Sequence, residues 1–171
     1  MHERFAMNKK KLFLFFVLSV FFFLGLFCTV SAAAQTIPPF KMMLSDNKIF
    51  SASDLHKGKP IVLIYFDPDC DHCQKLMEEL FKKINQLKKA EIVMVTYKPV
   101  SVLPPFEKKH NTSKYSNITV GTEGMGFYLR NYYGLMKMPF TALYDKKGNL
   151  NYSYKEETPV DDLINRLKKL K

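Results

Sequence analysis

Two cysteines stand two residues apart in the motif Cys70-Asp71-His72-Cys73, and this spacing is the strongest chemical signal in the chain. Across one helical turn it brings both sulfur atoms within reach of a disulfide bond. A disulfide that closes so short a loop removes little entropy from the unfolded chain, so stability is a poor reason for the pair. The motif therefore predicts thiol-disulfide exchange.

The elements predicted around the motif give the two thiols different roles. The apolar run 60–66 predicts a buried strand, and apolar residues at helical spacing predict a helix over residues 70–89. Cys70 then lies at the helix N-terminus, where free N–H groups and the helix dipole stabilise a thiolate. Cys70 is therefore the candidate nucleophile, and the more buried Cys73 is expected to resolve the mixed disulfide.

Charged neighbours are expected to tune the balance between thiol and thiolate. Protonated His72 favours a Cys70 thiolate, whereas the carboxylates of Asp67, Asp69 and Asp71 disfavour it. Asp69 is also a candidate N-cap of the helix. These opposing charges leave the reduction potential of the pair open.

No metal site or cofactor is predicted. Zinc would need two ligands beyond the cysteine pair, and residues 35–171 contain no further cysteine and only three histidines, namely His56, His72 and His110. Covalent haem attachment requires a histidine directly after the second cysteine, and Gln74 stands there.

A second signal, Met138-Pro139, comes 66 residues after Cys73 and directly before a predicted strand. A proline that opens a strand can simply be an edge-strand residue. In the cis form it would turn the Met138 backbone toward the cysteines, where an extended substrate peptide could pair with it. Met138 and Pro139 are therefore candidate substrate-binding residues.

The rest of the pattern predicts an α/β domain. Residues 60–97 form a strand-helix-strand unit, whose crossover implies parallel strands. A hairpin is predicted over residues 140–154, and a final helix is predicted with Thr158 as its N-cap and Pro159 in its first turn. Shorter elements are predicted as a hairpin at 40–50, a helical turn at 51–55, a helix at 104–109, a strand at 118–120 and a helix at 123–132.

The first 34 residues have the layout of a secretory signal peptide. A basic start leads into residues 12–30, which carry no charge, and small residues follow at the cleavage positions Ala32 and Ala34. Nineteen uncharged residues can also span a bilayer, so an uncleaved membrane anchor is the alternative. In both cases the preceding lysines place residues 35–171 outside the cytosol, and we expect a periplasmic domain.

Composition excludes several classes of protein. With 171 residues, 47% of them hydrophobic, the chain is neither disordered nor a disulfide-stapled mini-protein. Without residues 1–34 the formal charge falls from +10 to +7, and lysines alternate with acids on a helix face. We therefore expect a monomer without a nucleic-acid partner, which contacts a membrane only if its N-terminal segment is uncleaved.

Together, the cysteine motif, its place between strand and helix, and the later Met138-Pro139 resemble the thioredoxin superfamily over residues 40–170. The chain is most similar to bacterial secreted TlpA/ResA-like, redoxin-related oxidoreductases. The resemblance implies a thioredoxin fold with a mixed central β-sheet, helices on both faces and an N-terminal β-hairpin extension. It also implies that Cys70 and Cys73 form a redox-active disulfide and that Pro139 is a cis-proline. Cysteine-containing protein substrates and a redox partner protein would be its partners.

The chain departs from the superfamily pattern at two positions. Asp69 stands where a tryptophan commonly precedes the first cysteine, and Ile64 stands where thioredoxin carries a buried acid. Two other functions remain alternatives: a peroxiredoxin-like thiol peroxidase and a copper-binding or metallochaperone module. Asp67 replaces the threonine or serine of peroxiredoxins, and copper chaperones usually space their cysteines by three residues.

Overall fold

The structure is a computed structural model that describes residue 10 and residues 35–170. The chain divides after residue 33, and the second unit, Ala34–Lys171, carries the fold described below. Apart from residue 10, the predicted signal peptide, or anchor, at residues 1–34 lies outside the described residues. In the described part of the chain, no helix is long and apolar enough to cross a membrane.

Seven strands form one mixed sheet, with the order β2-β1-β5-β4-β3-β6-β7. The pairs β3/β4 and β4/β5 are parallel, and the other neighbours are antiparallel. The predicted parallel crossover and both predicted hairpins are confirmed. The strands are β1 (Lys41–Met43), β2 (Ile49–Ser51), β3 (Ile61–Tyr65), β4 (Glu91–Thr96), β5 (Ile118–Thr122), β6 (Phe140–Tyr144) and β7 (Leu150–Lys155).

Helices cover both faces of this sheet. Because side chains alternate along a strand, Val62 and Ile64 of β3 face one core layer, and Leu63 and Tyr65 face the other. Residues of α1, α2 and α4 contribute to the first layer, and Leu129 of α3 contributes to the second. The helices are α1 (Asp71–Lys82), α2 (Leu103–His110), α3 (Tyr128–Tyr133) and α4 (Val160–Lys169).

The predicted N-caps of α1 and α4 are wrong. Cys70 itself is the N-cap residue of α1, because the Asp69 carboxylate instead accepts a hydrogen bond from Lys98 Nζ at 2.8 Å. Pro159 is the N-cap residue of α4. The Thr158 hydroxyl lies in the core and hydrogen-bonds the hydroxyl of Thr141 at 2.8 Å.

Two predicted helices are shorter in the structure. The first ends as an α-helix at Lys82, and a 3-10 helix covers residues 84–87. The helix predicted from Glu123 begins only at Tyr128, after the left-handed residue Phe127 (φ 48°). The Glu123 carboxylate nevertheless supports α3, since it accepts the backbone N–H of Leu129 at 2.7 Å.

Candidate active site

The cysteine pair lies where the central strand β3 passes into helix α1. Cys70 is the N-cap residue of α1 and is half-buried, whereas Cys73, one turn further along, is 1% exposed. Both thiols are free in the structure. The difference in exposure agrees with the predicted division between an attacking and a resolving thiol.

Cys73 lies in a site that keeps its thiol protonated. Burial raises the pKa of Cys73 to about 12, and the Cys70 thiol and the charge of Asp67 act in the same direction. The backbone N–H of Asp67, which donates to the Cys73 sulfur at 3.4 Å, opposes this rise. At neutral pH Cys73 is therefore a neutral thiol, which must lose its proton before it can attack a disulfide.

The loop before β6 faces the half-buried Cys70. The Met138-Pro139 peptide bond is cis, and the Cys70 thiol donates to the Met138 carbonyl oxygen across 3.8 Å. Register explains this proximity, because Tyr65 at the end of β3 pairs with Phe140 at the start of antiparallel β6. The structure thus brings both predicted substrate-binding residues to the cysteine pair.

The two predicted tuning residues occupy the first turn of α1. Asp71 and His72 are both exposed, and His72 lines a cleft with Pro139 and Lys75. Their influence on the Cys70 thiol stays a prediction.

Asp67 has contacts in the site that were not predicted from the sequence. Its carboxylate accepts hydrogen bonds from the Tyr97 hydroxyl at 2.5 Å and from the Asp69 N–H at 2.9 Å. The ammonium group of Lys98 lies 3.4 Å away. Burial alone would raise the pKa of Asp67, but these three partners outweigh it and hold the pKa below its usual value. An ionised carboxylate therefore lies close to the resolving thiol.

Only the strand pairing could reveal this cluster. Asp67 follows β3, and Tyr97 and Lys98 follow β4, thirty residues later. Parallel neighbours end at the same edge of a sheet, so polar residues within two positions of the ends of two such strands were the available signal.

A cavity of about 350 Å³ opens beside the buried cysteine. Cys73 and Asp67 lie at its wall, and Phe66, Met77 and Phe106 give it an apolar lining. His110, at the end of α2, also lines the cavity and stacks on Phe81 with ring centroids 4.6 Å apart. Burial, together with the charge of Lys109, lowers the pKa of His110.

The described residues contain no cluster of three or more His, Cys, Asp or Glu side chains that could hold a metal ion. The two sulfur atoms are the reactive groups that the site offers. The Cys70 sulfur lies beside the Met138 carbonyl, whereas the Cys73 sulfur is buried and protonated. This arrangement suits the formation of a mixed disulfide at Cys70, followed by attack from Cys73.

Solved structures with this fold include several redox proteins. The pneumococcal exposed lipoprotein thioredoxin from Streptococcus pneumoniae is 22% identical, with a TM-score of 0.59, covering 78% of this chain and 100% of its own. A secreted Mycobacterium tuberculosis disulfide oxidoreductase homologous to E. coli DsbE is 20% identical, with a TM-score of 0.63, covering 77% and 96%. A peroxiredoxin-like protein from Aquifex aeolicus is 16% identical, with a TM-score of 0.67, covering 81% and 86%.

At these identities the similarity establishes the thioredoxin fold. No curated protein matches the chain in sequence. The model of the AhpC/TSA family matches residues 33–166, most of the chain and all of the site described above. The chain therefore belongs to the AhpC/TSA family, within the thioredoxin superfamily.

Proposed function

We propose that this protein is a thiol-disulfide oxidoreductase that exchanges disulfides with protein substrates through Cys70 and Cys73. One observation carries the proposal: the half-buried Cys70 thiol faces the Met138 carbonyl, while Cys73 is buried one turn behind it. The Met138 backbone offers an extended peptide a partner for hydrogen bonding next to the attacking sulfur.

In the reducing direction, the Cys70 thiolate attacks one sulfur of a substrate disulfide. The substrate S–S bond breaks, a Cys70–substrate disulfide forms, and the leaving thiolate takes up a proton. Cys73 then loses its proton and attacks the Cys70 sulfur, which releases the second substrate thiol. Two electrons pass to the substrate, and the Cys70–Cys73 disulfide forms. The same steps run in reverse when the oxidised pair meets a substrate dithiol.

We place this activity outside the cytosol. The support is the signal-like sequence of residues 1–34, with a basic start, nineteen uncharged residues and alanines at the cleavage positions. Disulfides persist in such compartments, so both substrates and a partner that resets the pair would be present there.

Equilibration with glutathione redox buffers tests the proposal. The expected result is a two-electron transition between the Cys70–Cys73 disulfide and the dithiol. Mass spectrometry after thiol alkylation measures the fraction of each form. A pair that fails to equilibrate at any ratio of reduced to oxidised glutathione contradicts the proposal.

Two other assays separate this function from its alternatives. Rapid consumption of hydrogen peroxide with a thiol reductant would favour a thiol peroxidase, for which the family assignment also leaves room. Tight, stoichiometric binding of Cu(I) by the reduced protein would favour a metallochaperone. We expect neither, because Asp67 puts a negative charge beside the thiols and stands where peroxiredoxins carry threonine or serine, and because two residues rather than three separate the cysteines.

A further inference from the structure

Six exposed lysines gather at the end of the sheet away from the cysteine pair. They come from four separate segments: the loop before β3, the loop before β4, the β6–β7 turn and helix α4. These lysines line two adjoining clefts, and one lysine, Lys146, lines both. We refer to this surface as the lysine face. Its lysines are Lys57, Lys59, Lys89, Lys146, Lys147 and Lys168.

Among residues 35–170, little negative charge opposes the positive charge of the lysine face. No Asp or Glu lines either cleft, and none of the six lysines forms an ion pair with any residue from 35 to 170. Two acids lie in this region, and one of them, Asp145, attracts the charge of Lys147. Glu91 is buried and holds His56, and Asp145 accepts the N–H groups of Lys147 and Asn149 within its own turn.

The sheet separates the lysine face from the redox site. Strand β3 starts at Ile61, which lines one of the two clefts, and ends at Tyr65, just before the cysteine motif. Antiparallel β6 runs the other way, from Met138-Pro139 to the turn that carries Lys146. The two surfaces therefore lie at opposite ends of the central strands.

The described chain also begins at the lysine face. The Gln35 carbonyl accepts the Leu150 N–H at 2.7 Å, and the Ile37 N–H donates to the Gly148 carbonyl at 3.1 Å. Ile37 lines the same cleft as Lys146. Residues 35–37 therefore lie at the lysine face, and in the sequence they follow the nineteen uncharged residues 12–30.

We propose that the lysine face docks on an anionic phospholipid membrane. Several lysines near a membrane surface are attracted to anionic headgroups, and an apolar segment followed by a basic patch is a common two-part membrane attachment. Docked in this way, the domain presents Cys70 on the side away from the lipid, where protein substrates reach it. This inference is independent of the proposed redox activity.

Lysine acetylation of the full chain, reconstituted in vesicles, tests the docking. One preparation uses phosphatidylcholine alone, and the other an equal mixture of phosphatidylcholine and phosphatidylglycerol. We expect acetylation of the six lysines to slow about threefold or more in the anionic vesicles, and to recover near 1 M salt, where the Debye length is about 3 Å. Lys75 and Lys137, near the redox site, should react equally in both preparations.

Matched variants make the test specific. Lys146→Gln with Lys147→Gln should reduce the protection of the remaining four lysines. Lys108→Gln with Lys114→Gln removes the same charge from exposed residues that line neither cleft, and should leave the protection unchanged. Equal acetylation in the two vesicle types overturns the proposal, as does protection by soluble heparin but not by anionic vesicles.

Discussion

The Cys70 sulfur lies 3.8 Å from the carbonyl oxygen of Met138, a residue 68 positions later in the chain. The sulfur belongs to the segment between β3 and α1, and the carbonyl oxygen belongs to the loop before β6. A peptide that pairs with the Met138 backbone would place its own sulfur next to Cys70. In the proposed function, the backbone that binds the peptide and the sulfur that attacks it are therefore adjacent.

Replacing each cysteine should separate their roles. The Cys73→Ser variant should accumulate a mixed disulfide between Cys70 and a substrate cysteine, because the resolving thiol is gone. The Cys70→Ser variant should trap none, because the remaining thiol is buried and protonated. Both should exchange disulfides at least about 100-fold more slowly than the wild type. Non-reducing gels and mass spectrometry measure the adducts, and trapping by Cys70→Ser alone would contradict this assignment.

Asp67→Asn should lower the pKa of Cys73. The substitution removes a negative charge that disfavours the thiolate, although burial, the largest cause, remains. The pH dependence of Cys73 alkylation, measured in a Cys70→Ser background, reports this pKa. Asp69→Asn is the matched control, since the Asp69 carboxylate is exposed and bonded to Lys98. Equal changes in the pKa of Cys73 in the two variants would contradict a specific effect of the Asp67 charge on this thiol.

His110 should make the fold less stable in mild acid. Burial lowers its folded pKa below the ordinary value of 6.5, so below pH 6.5 the unfolded chain binds a proton that the native state does not. Stability is therefore lost as the pH falls from 6.5 toward the folded pKa. His110→Phe preserves stacking on Phe81 and should flatten this part of the curve. Urea unfolding at pH 7.5 and 5.5 measures the difference, and parallel curves for variant and wild type would contradict the prediction.

Glu123 should stabilise the segment between β5 and α3. Its carboxylate accepts the hydroxyl of Tyr65 at 2.6 Å and the N–H of Leu129 at 2.7 Å. Glu123→Ala leaves these donors without their acceptor and should cost about 1–3 kcal/mol of unfolding free energy. Glu123→Gln keeps an acceptor oxygen and should cost clearly less. Urea denaturation ranks the two, and equal losses would mean that the hydrogen bonds contribute little.

Local patterns in the sequence were enough to predict the central strand, the helix after it and the place of the cysteine pair between them. An apolar run predicted β3 and helical periodicity predicted α1, and these elements placed Cys70 at the helix start with Cys73 one turn later and more buried. These predictions succeeded because they depend on backbone geometry within a few residues. Helix starts were less predictable, since Asp69 and Thr158, both good N-cap types, bond instead to Lys98 and Thr141.

Which distant residues come into contact depends on the pairing and register of the strands. Parallel pairing of β3 with β4 brings the Tyr97 hydroxyl within hydrogen-bonding distance of the Asp67 carboxylate. Antiparallel pairing of β3 with β6 brings the Met138 carbonyl next to the Cys70 thiol. The same sheet gathers lysines from four segments at its opposite end, although along the sequence they look like ordinary solvated charges. Strand order and register set these contacts, and both depend on packing of the whole core, which no local pattern encodes.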